Sequence, residues 1–155
     1  GPKLYRRSLY VYWKRTSPHP MMTLFDAPSR ESACVRRSRT NTPLQSLGLL
    51  NEPQRVEAAR KLAERLLREA DSDDARLDLL FSLLASRSPK AIERTACAKL
   101  LQAQRTRFKT AEAAAKDLLG TGDASRDENL KPIEVAAWTQ VADMVMASDL
   151  AILLY

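Results

Sequence analysis

Residues 42–85 read TPLQSLGLLNEPQRVEAARKLAERLLREADSDDARLDLLFSLLA, and this stretch decides the fold. It opens on a capping-box pattern. Thr42 caps a helix, Pro43 takes the first helical position, where its missing N–H costs nothing, and Gln45 reaches back to the cap. The pattern predicts a short helix that ends near Leu50.

Two longer helices are predicted in the rest of this stretch. The segment from Asn51 to Gln54 offers a similar start, and apolar residues then recur at intervals of three and four, which predicts one apolar stripe that ends at Ala70. Ser72 and the two aspartates after it start the next helix. Because its leucines and Phe81 surround that helix on nearly all sides, we expect it to be the most buried element.

Three further helices are predicted towards the C-terminus. Ser88-Pro89 opens the fourth, which runs to about Lys109. Thr110 caps an alanine-rich fifth helix, and Gly120 ends it in the left-handed conformation that only glycine adopts cheaply. Pro132 starts the last helix after a polar loop, and the apolar tail of the chain can continue it. The inner face of the fourth helix is predicted to comprise Ile92, Ala96, Cys97, Leu100 and Leu101.

About six helices with short connectors and no strand pattern predict an all-α fold, either a bundle or a helical-hairpin array. The helices do not align to the repeat length that helical solenoids need. No apolar run reaches the roughly 18 residues that a membrane helix needs, so we expect no membrane span.

Charge and composition divide the chain into two regions. Residues 1–50 hold nine Lys and Arg against two acids, a net charge of +7, whereas the other 105 residues sum to −1. The same first third carries five of the nine aromatic residues and five of the eight prolines. We therefore expect a basic, aromatic, Pro-rich N-terminal arm over residues 3–41 and a helical body over residues 42–155. Gly1-Pro2 is typical of the scar of a cleaved tag, so we expect the chain to be a domain cut from a larger protein.

The arm gives weaker structural signals than the body. Residues 9–13 suit either a short strand or a helical turn, and the segment from Ser17 to Pro20 must be a turn or extended. Cys34 and Cys97 fit two buried thiols, a disulfide in an exported protein, or a reactive thiol, so their redox state stays open.

An arginine cluster precedes the Thr42 cap. Guanidinium groups beside the N–H groups and positive pole of a helix N-terminus can bind a carboxylate, sulfate or phosphate. The alternative is that the arginines pair with acids such as Asp26 and Glu31 and clamp the arm onto the body. In both interpretations the candidate residues are Arg36, Arg37, Arg39, Thr40, Asn41, Thr42 and Gln45.

Bases alternate with aromatic rings between Tyr5 and Arg15. This pattern can bind single-stranded nucleic acid or stack sugars, but more often the rings pack inward, so nucleic acid is the less favoured partner. The single histidine, His19, suits a surface turn, or an incomplete shell for a soft metal or a haem axial ligand. One histidine cannot build a zinc site that needs several. We assign no catalytic residue and no metal ligand.

The chain resembles a known family, and strings in its first third carry most of the resemblance. They are Tyr12-Trp13-Lys14-Arg15-Thr16, Phe25-Asp26-Ala27-Pro28, Val35-Arg36-Arg37, Thr40-Asn41-Thr42-Pro43-Leu44-Gln45 and Leu49-Leu50-Asn51-Glu52-Pro53. The chain is similar to the C-terminal planctomycete-specific domain of unknown function of large multidomain proteins that often carry a planctomycete cytochrome c domain. The family domain is longer on its N-terminal side, which implies that the arm over residues 3–41 is the C-terminal part of a longer domain. The ending of this chain, Asp149-Leu150-Ala151, departs from the acidic-aromatic finish of that family.

The resemblance implies an exported, extracytoplasmic bacterial parent, with any haem c on another domain and no cofactor in this chain. It also implies a setting in polysaccharide breakdown, but it transfers no catalytic residue, because the family has no established activity. The first hypothesis is a noncatalytic helical module that docks other domains of the parent or binds an acidic polysaccharide. The second is a part of a redox or polysaccharide-degrading enzyme whose active site needs the missing N-terminal portion. The ligand and the oligomeric state stay open.

Overall fold

The computed structural model describes residues 5–152, and within that range the chain forms eight α-helices and no β-strand. All six predicted helices are present, which confirms the all-α class. In chain order the helices are α1 (Pro20–Leu24), α2 (Pro43–Asn51), α3 (Pro53–Glu69), α4 (Asp73–Ala85), α5 (Ala91–Thr110), α6 (Glu112–Leu119), α7 (Pro132–Met146) and α8 (Asp149–Ile152). A short 3-10 helix precedes them at Ser8–Tyr10. Within residues 5–152, no helix is both long enough and apolar enough to cross a membrane.

The chain divides into two compact units, Gly1–Asn51 and Glu52–Tyr155, which we call the N-terminal and C-terminal units. The first contains the 3-10 helix, α1 and α2, and the second contains α3 to α8. The sequence boundary between residues 41 and 42 lies before α2, so the two divisions differ in where they place this helix. The arm over 3–41 and the body over 42–155 stay predictions, since compactness does not establish which segments fold independently.

Helix α7 is the centre of the C-terminal unit, because α3, α5 and α6 all pack against it. Nine of its fifteen residues are buried, and its largest side chain, Trp138, is fully buried. Small residues such as Ala136, Ala137 and Ala142 let neighbouring helices approach it closely from several sides. The helices of this unit therefore pack as a bundle around α7.

The expectation that α4 is the most buried element is wrong. Only Leu77, Leu80 and Phe81 are buried in α4, and Leu83 is exposed. An all-round apolar composition shows that a helix tolerates burial, but the packing of the other helices decides which one is surrounded. For the same reason two residues of the predicted inner face of α5, Ile92 and Ala96, are exposed, whereas Cys97 and Leu101 are buried.

Several helix ends differ from the predicted positions. Helix α3 starts within the predicted segment from Asn51 to Gln54, where Glu52 is the cap and its Oε2 accepts a hydrogen bond from the Arg55 N–H at 2.9 Å. Helix α5 starts at Ala91, after Ser88-Pro89, and continues through Thr110, which therefore does not cap α6. Helix α7 ends at Met146 and α8 is separate, while residues 153–155 of the predicted tail lie outside the described residues.

The left-handed glycine after α6 is Gly122, two residues beyond the predicted Gly120. Gly120 ends α6 with φ −81°, a right-handed conformation, whereas Gly122 has φ +88°. A Cβ atom built on Gly122 would lie 2.0 Å from Glu57 Oε2, so the close approach of this loop to α3 also requires glycine.

The N-terminal unit is organised by the contact between α1 and α2. Gly48 of α2 faces Leu24 and Met21, and a Cβ atom there would lie 2.6 Å from Leu24 Cδ2. Helix α1 begins at Pro20, so the expectation of a turn or extended chain from Ser17 to Pro20 holds for Ser17 to His19 and is wrong for Pro20. Residues 9–13 form no strand, and the 3-10 helix at Ser8–Tyr10 fits the helical-turn alternative.

Candidate functional site

The predicted capping box at the start of α2 is present with both of its hydrogen bonds. The Gln45 N–H donates to Thr42 Oγ1 at 3.3 Å, and the Thr42 N–H donates to Gln45 Oε1 at 3.1 Å. Pro43 has no N–H and the Gln45 N–H is taken by the cap, so the α2 N-terminus offers few free amides to an anion.

The Gln45 side chain extends this cap into a network that ties α2 to the chain after α1. Its Nε2 donates to the Leu24 carbonyl oxygen at 2.9 Å and to Thr40 Oγ1 at 3.0 Å. Thr40 in turn donates from both its N–H and its Oγ1 to Asp26 Oδ2, each at 2.8 Å. The Thr40 hydroxyl thus donates one hydrogen bond and accepts another, which fixes the approach of the chain to α2.

The arginines of the cluster take no part in this network. The side chains of Arg36, Arg37 and Arg39 are exposed and make no ion pair or hydrogen bond within the described part of the chain. The two acids of the N-terminal unit are engaged elsewhere: Asp26 accepts from Thr40, and Glu31 lies 3.7 Å from Arg15 in an exposed pair. Within residues 5–152, the side-chain hydrogen bonds of this segment come from Thr40, Thr42 and Gln45 and from Cys34, whose Sγ donates to the Arg36 carbonyl oxygen at 3.4 Å. The three guanidinium groups are exposed.

The candidate residues therefore separate into two groups. Thr40, Thr42 and Gln45 are joined by hydrogen bonds. The side chains of the three arginines and of Asn41 are exposed, and among the described residues they form no hydrogen bond or ion pair with one another. Chemically, such a segment can offer guanidinium donors to a carboxylate, sulfate or phosphate.

Exposed aromatic rings lie in the same unit. Tyr12 is 85% exposed and Tyr10 61%, so the expectation that the rings pack inward does not hold for these two tyrosines. The guanidinium carbon of Arg30 lies 5.1 Å from the centroid of the Trp13 ring, and that of Arg7 lies 6.0 Å from the centroid of Tyr10. Both are cation–π distances.

The histidine and the cysteines do not form a site in the described residues. His19 is exposed at the N-cap of α1, and no group of three or more His, Cys, Asp and Glu that could hold a metal occurs within residues 5–152. Both cysteines are free thiols, Cys97 buried and Cys34 exposed, so the interpretation as two buried thiols is right only for Cys97. Burial raises the pKa of the Cys97 thiol, and the negative charge of Glu93 adds to the shift.

The sequence analysis missed a buried ionic network in the C-terminal unit. Arg60 and Glu64 of α3 are almost completely buried and form an ion pair of 3.2 Å. Arg60 also donates to the Ala124 carbonyl oxygen at 2.6 Å, and the Asp127 N–H donates to Glu64 Oε1 at 3.2 Å. These charges hold the polar loop between α6 and α7 against α3. A signal existed, because Arg60 and Glu64 directly follow the inward-facing residues Ala59 and Ala63.

A second ionic cluster joins three helices of the same unit. Arg105 of α5 donates to both carboxylate oxygens of Asp73, in α4, at 2.6 and 2.9 Å, and to Glu134 of α7 at 2.6 Å. The hydrogen bond from Arg105 lowers the pKa of Asp73, and the two carboxylates raise the pKa of Arg105. Through these hydrogen bonds, two of them in a bidentate pair with Asp73, Arg105 links α5 to α4 and to α7.

Asp143 of α7 is a buried carboxylate with unusual surroundings. It is 6% exposed, and its Oδ1 has no hydrogen-bond partner within the described residues. Burial raises the pKa of Asp143 to about 6, and the positive charge of Arg55 opposes the shift. A small recess of about 20 Å³ elsewhere in this unit, lined by Leu119, Asp127 and Leu130 among others, has room for a water-sized molecule.

The described residues thus define an all-helical protein with a basic N-terminal segment tied to a capped helix. The chain belongs to the family described as PSD1, protein of unknown function (DUF1553), whose model matches residues 1–101. This match confirms the part of the resemblance that concerns a family of unknown function. No curated protein and no solved structure matches the chain.

Proposed function

We propose that the chain is a noncatalytic interaction module that binds an anionic partner through Arg36, Arg37 and Arg39, with an acidic polysaccharide as the first candidate. The observation that carries this proposal is that all three guanidinium groups are exposed and unpaired within the described residues, while Thr40, Thr42 and Gln45 beside them are joined by hydrogen bonds. Arginine offers paired donors to carboxylate and sulfate groups without needing a proton transfer.

The hydrogen bonds of Thr40, Thr42 and Gln45 matter for binding, because a partner that orders a loose segment of chain must offset the conformational entropy that the segment loses. The bonds from Gln45 to Leu24 and Thr40, and from Thr40 to Asp26, already fix the chain on the C-terminal side of the arginines. A partner therefore meets a chain that is already held at Thr40, directly after Arg39.

The finer context of this module is part of the proposal and rests on the resemblance. We propose an exported, extracytoplasmic parent of the planctomycete type, in which other domains, including a cytochrome c domain, supply any redox chemistry. Fractionation of cells that express the natural parent protein tests the location. A parent found only in the cytoplasmic fraction would contradict it.

The binding test is a calorimetric titration of the chain with oligogalacturonate and with a sulfated oligosaccharide. Arg36→Ala and Arg39→Ala are expected to weaken binding about tenfold each, the usual effect of losing a hydrogen bond to a charged group. Lys99→Ala, which removes an exposed cation of α5 in the other unit, is the matched control and is expected to change binding less than twofold.

Two results would overturn the anion site. Binding that is absent in the wild type, or equal in wild type and both arginine variants, would remove it. If both variants also melt at a lower temperature than the wild type, the arginines stabilise the fold, and docking to another domain becomes the better function.

A further inference from the structure

The N-terminal unit exposes an unusual share of the apolar surface. Of the fourteen large apolar or aromatic side chains that are exposed within residues 5–152, ten lie in this unit, which is only a third of the chain. They are Tyr5, Leu9, Tyr10, Val11, Tyr12, Phe25, Val35, Leu44, Leu47 and Leu50. Exposed apolar side chains at this density indicate an interaction surface.

The exposed apolar surface is clearest on helix α2, which has leucines on both faces and no charged residue. Gln45 and Leu49 are buried, and Gly48 faces α1. On a helix that advances about 100° per residue, Leu44, Leu47 and Leu50 occupy an arc of about 120° on the opposite side. These three leucines are exposed, at 60%, 58% and 44%. A helix that is apolar all round is normally covered on both faces.

The net charge around these apolar residues is positive. Within residues 5–51 there are eight Lys and Arg against two acids, and both acids already have partners, Thr40 for Asp26 and Arg15 for Glu31. Val35, which is completely exposed, is followed directly by Arg36 and Arg37. Apolar and aromatic side chains interleaved with cations suit the boundary between anionic headgroups and acyl chains.

We propose that the N-terminal unit binds the surface of an anionic lipid bilayer. The leucines of α2 and Val35 enter the boundary between headgroups and acyl chains, the exposed tyrosines lie at headgroup level, and the arginines pair with lipid phosphates. The apolar residues come from three separate segments, around Leu9 to Tyr12, at Val35 and along α2. A fluid interface accepts scattered side chains one at a time, whereas a protein partner needs a matching rigid surface. This favours lipid over a protein partner.

This inference shares the arginines with the proposed function but adds a dependence on apolar residues, so the two can fail separately. The test is co-sedimentation of the full chain with vesicles of phosphatidylcholine alone and of phosphatidylcholine mixed in equal parts with phosphatidylglycerol. We expect binding only to the mixed vesicles. Replacing Arg36, Arg37 and Arg39 by Gln should weaken it by about fivefold per arginine.

Leu44→Ser combined with Leu47→Ser should weaken vesicle binding at least about tenfold, because two inserted leucines are lost. Ile92→Ser is the matched control, since Ile92 is 77% exposed but lies on α5 in the C-terminal unit, and it should change binding less than about twofold. All of these positions are exposed, so the variants are expected to fold, and circular dichroism checks this before each experiment.

Three results would overturn the lipid proposal. One is no binding to either vesicle. Another is binding that the arginine variants lose and the leucine variants keep, which is electrostatic adsorption. The third is polyuronate binding without vesicle binding, which would leave the proposed function standing and remove this inference alone.

Discussion

The two compact units treat polar and apolar side chains in opposite ways. The C-terminal unit encloses Trp138 and the other large apolar groups of α7, and it buries the charges of Arg60 and Glu64 as a hydrogen-bonded pair. The N-terminal unit leaves leucines and tyrosines exposed, and within the described residues it leaves the side chains of Arg36, Arg37 and Arg39 unpaired. Exposed apolar side chains and unpaired charges are groups that a partner can cover, so we expect the C-terminal unit to supply stability and propose that the N-terminal unit supplies recognition.

The largest expected effect compares two leucines, one in each unit. Leu66→Ala in α3 should lower the free energy of unfolding by about 4 kcal/mol, because Leu66 is fully buried and the rigid bundle keeps the cavity. Leu47→Ala in α2, where the side chain is 58% exposed, should change it by less than about 0.5 kcal/mol. Urea denaturation measures both. Equal losses would mean that the α2 face is covered in solution.

The second prediction concerns the buried ion pair. Glu64→Gln should cost about 3 kcal/mol, because it leaves the Arg60 charge buried without its counter-ion and weakens the anchor of the Asp127 N–H. The matched control is Glu69→Gln, which removes the exposed partner of Arg65 on the same helix and should cost less than about 0.5 kcal/mol. If the two variants unfold at the same urea concentration, the network at Arg60 adds nothing beyond a surface pair.

The third prediction is a pH dependence carried by Asp143. Its pKa in the folded protein, about 6, lies above its ordinary value of 3.8, so the folded state takes up a proton first as the pH falls. Relative to Asp143→Asn, the wild type should therefore gain about 2 kcal/mol of stability between about pH 7 and pH 4.

The comparison with the variant is needed because other carboxylates act with the opposite sign. Arg87 lowers the pKa of Glu93 to about 2 and Arg105 lowers that of Asp73, so their stabilisation is lost as the pH falls through those lowered pKa values. Asp149→Asn, at an exposed position, is the control. A stability difference between wild type and Asp143→Asn that stays constant with pH would contradict the prediction.

The smallest expected effect concerns the N-terminal cap of α2 in the N-terminal unit. Thr42→Ala removes the cap of α2 and should cost about 1 kcal/mol. Ser46→Ala, on the exposed side of the same helix, should instead stabilise it by a few tenths of a kcal/mol, because alanine has the higher helix propensity. Hydrogen exchange of the α2 amides reports this local change. Equal protection in the two variants would show that the hydrogen bonds of Gln45 to Leu24 and Thr40 hold the helix without the cap.

The parts of the fold that rest on local chemistry could be predicted from the sequence. The reciprocal bonds of Thr42 and Gln45, the Ser72 cap of α4 and the start of α7 at Pro132 all arise within a few residues of chain. Helix ends that depend on surroundings were missed. Gly120 ends α6 with a right-handed backbone, and the left-handed glycine is Gly122, where the loop passes close to Glu57. That position depends on the contact with α3, which the local sequence does not contain.

The candidate site divides in the same way. The arginine cluster and the cap could be identified from residue types and spacing, and the cap is confirmed. That Thr40 and Gln45 meet Asp26 and Leu24 could not be predicted, since these contacts join segments on either side of an irregular stretch. The burial of Arg60 and Glu64 was not predicted, because charged residues on a helix normally face water and their position beside the apolar stripe is a weak signal against that rule.

By itself, the sequence determined the approximate positions of six of the eight helices in residues 5–152, the all-α class and the concentration of positive charge in the first third of the chain, because these depend on local hydrogen bonding and on composition. Only the tertiary structure decided that α7 is central, that Ile92 is exposed and that two charges lie in the interior of the C-terminal unit. The physical reason is that burial depends on which helix faces are covered by neighbours distant in the chain. An apolar stripe can be recognised from its spacing, but the spacing alone does not say what covers it.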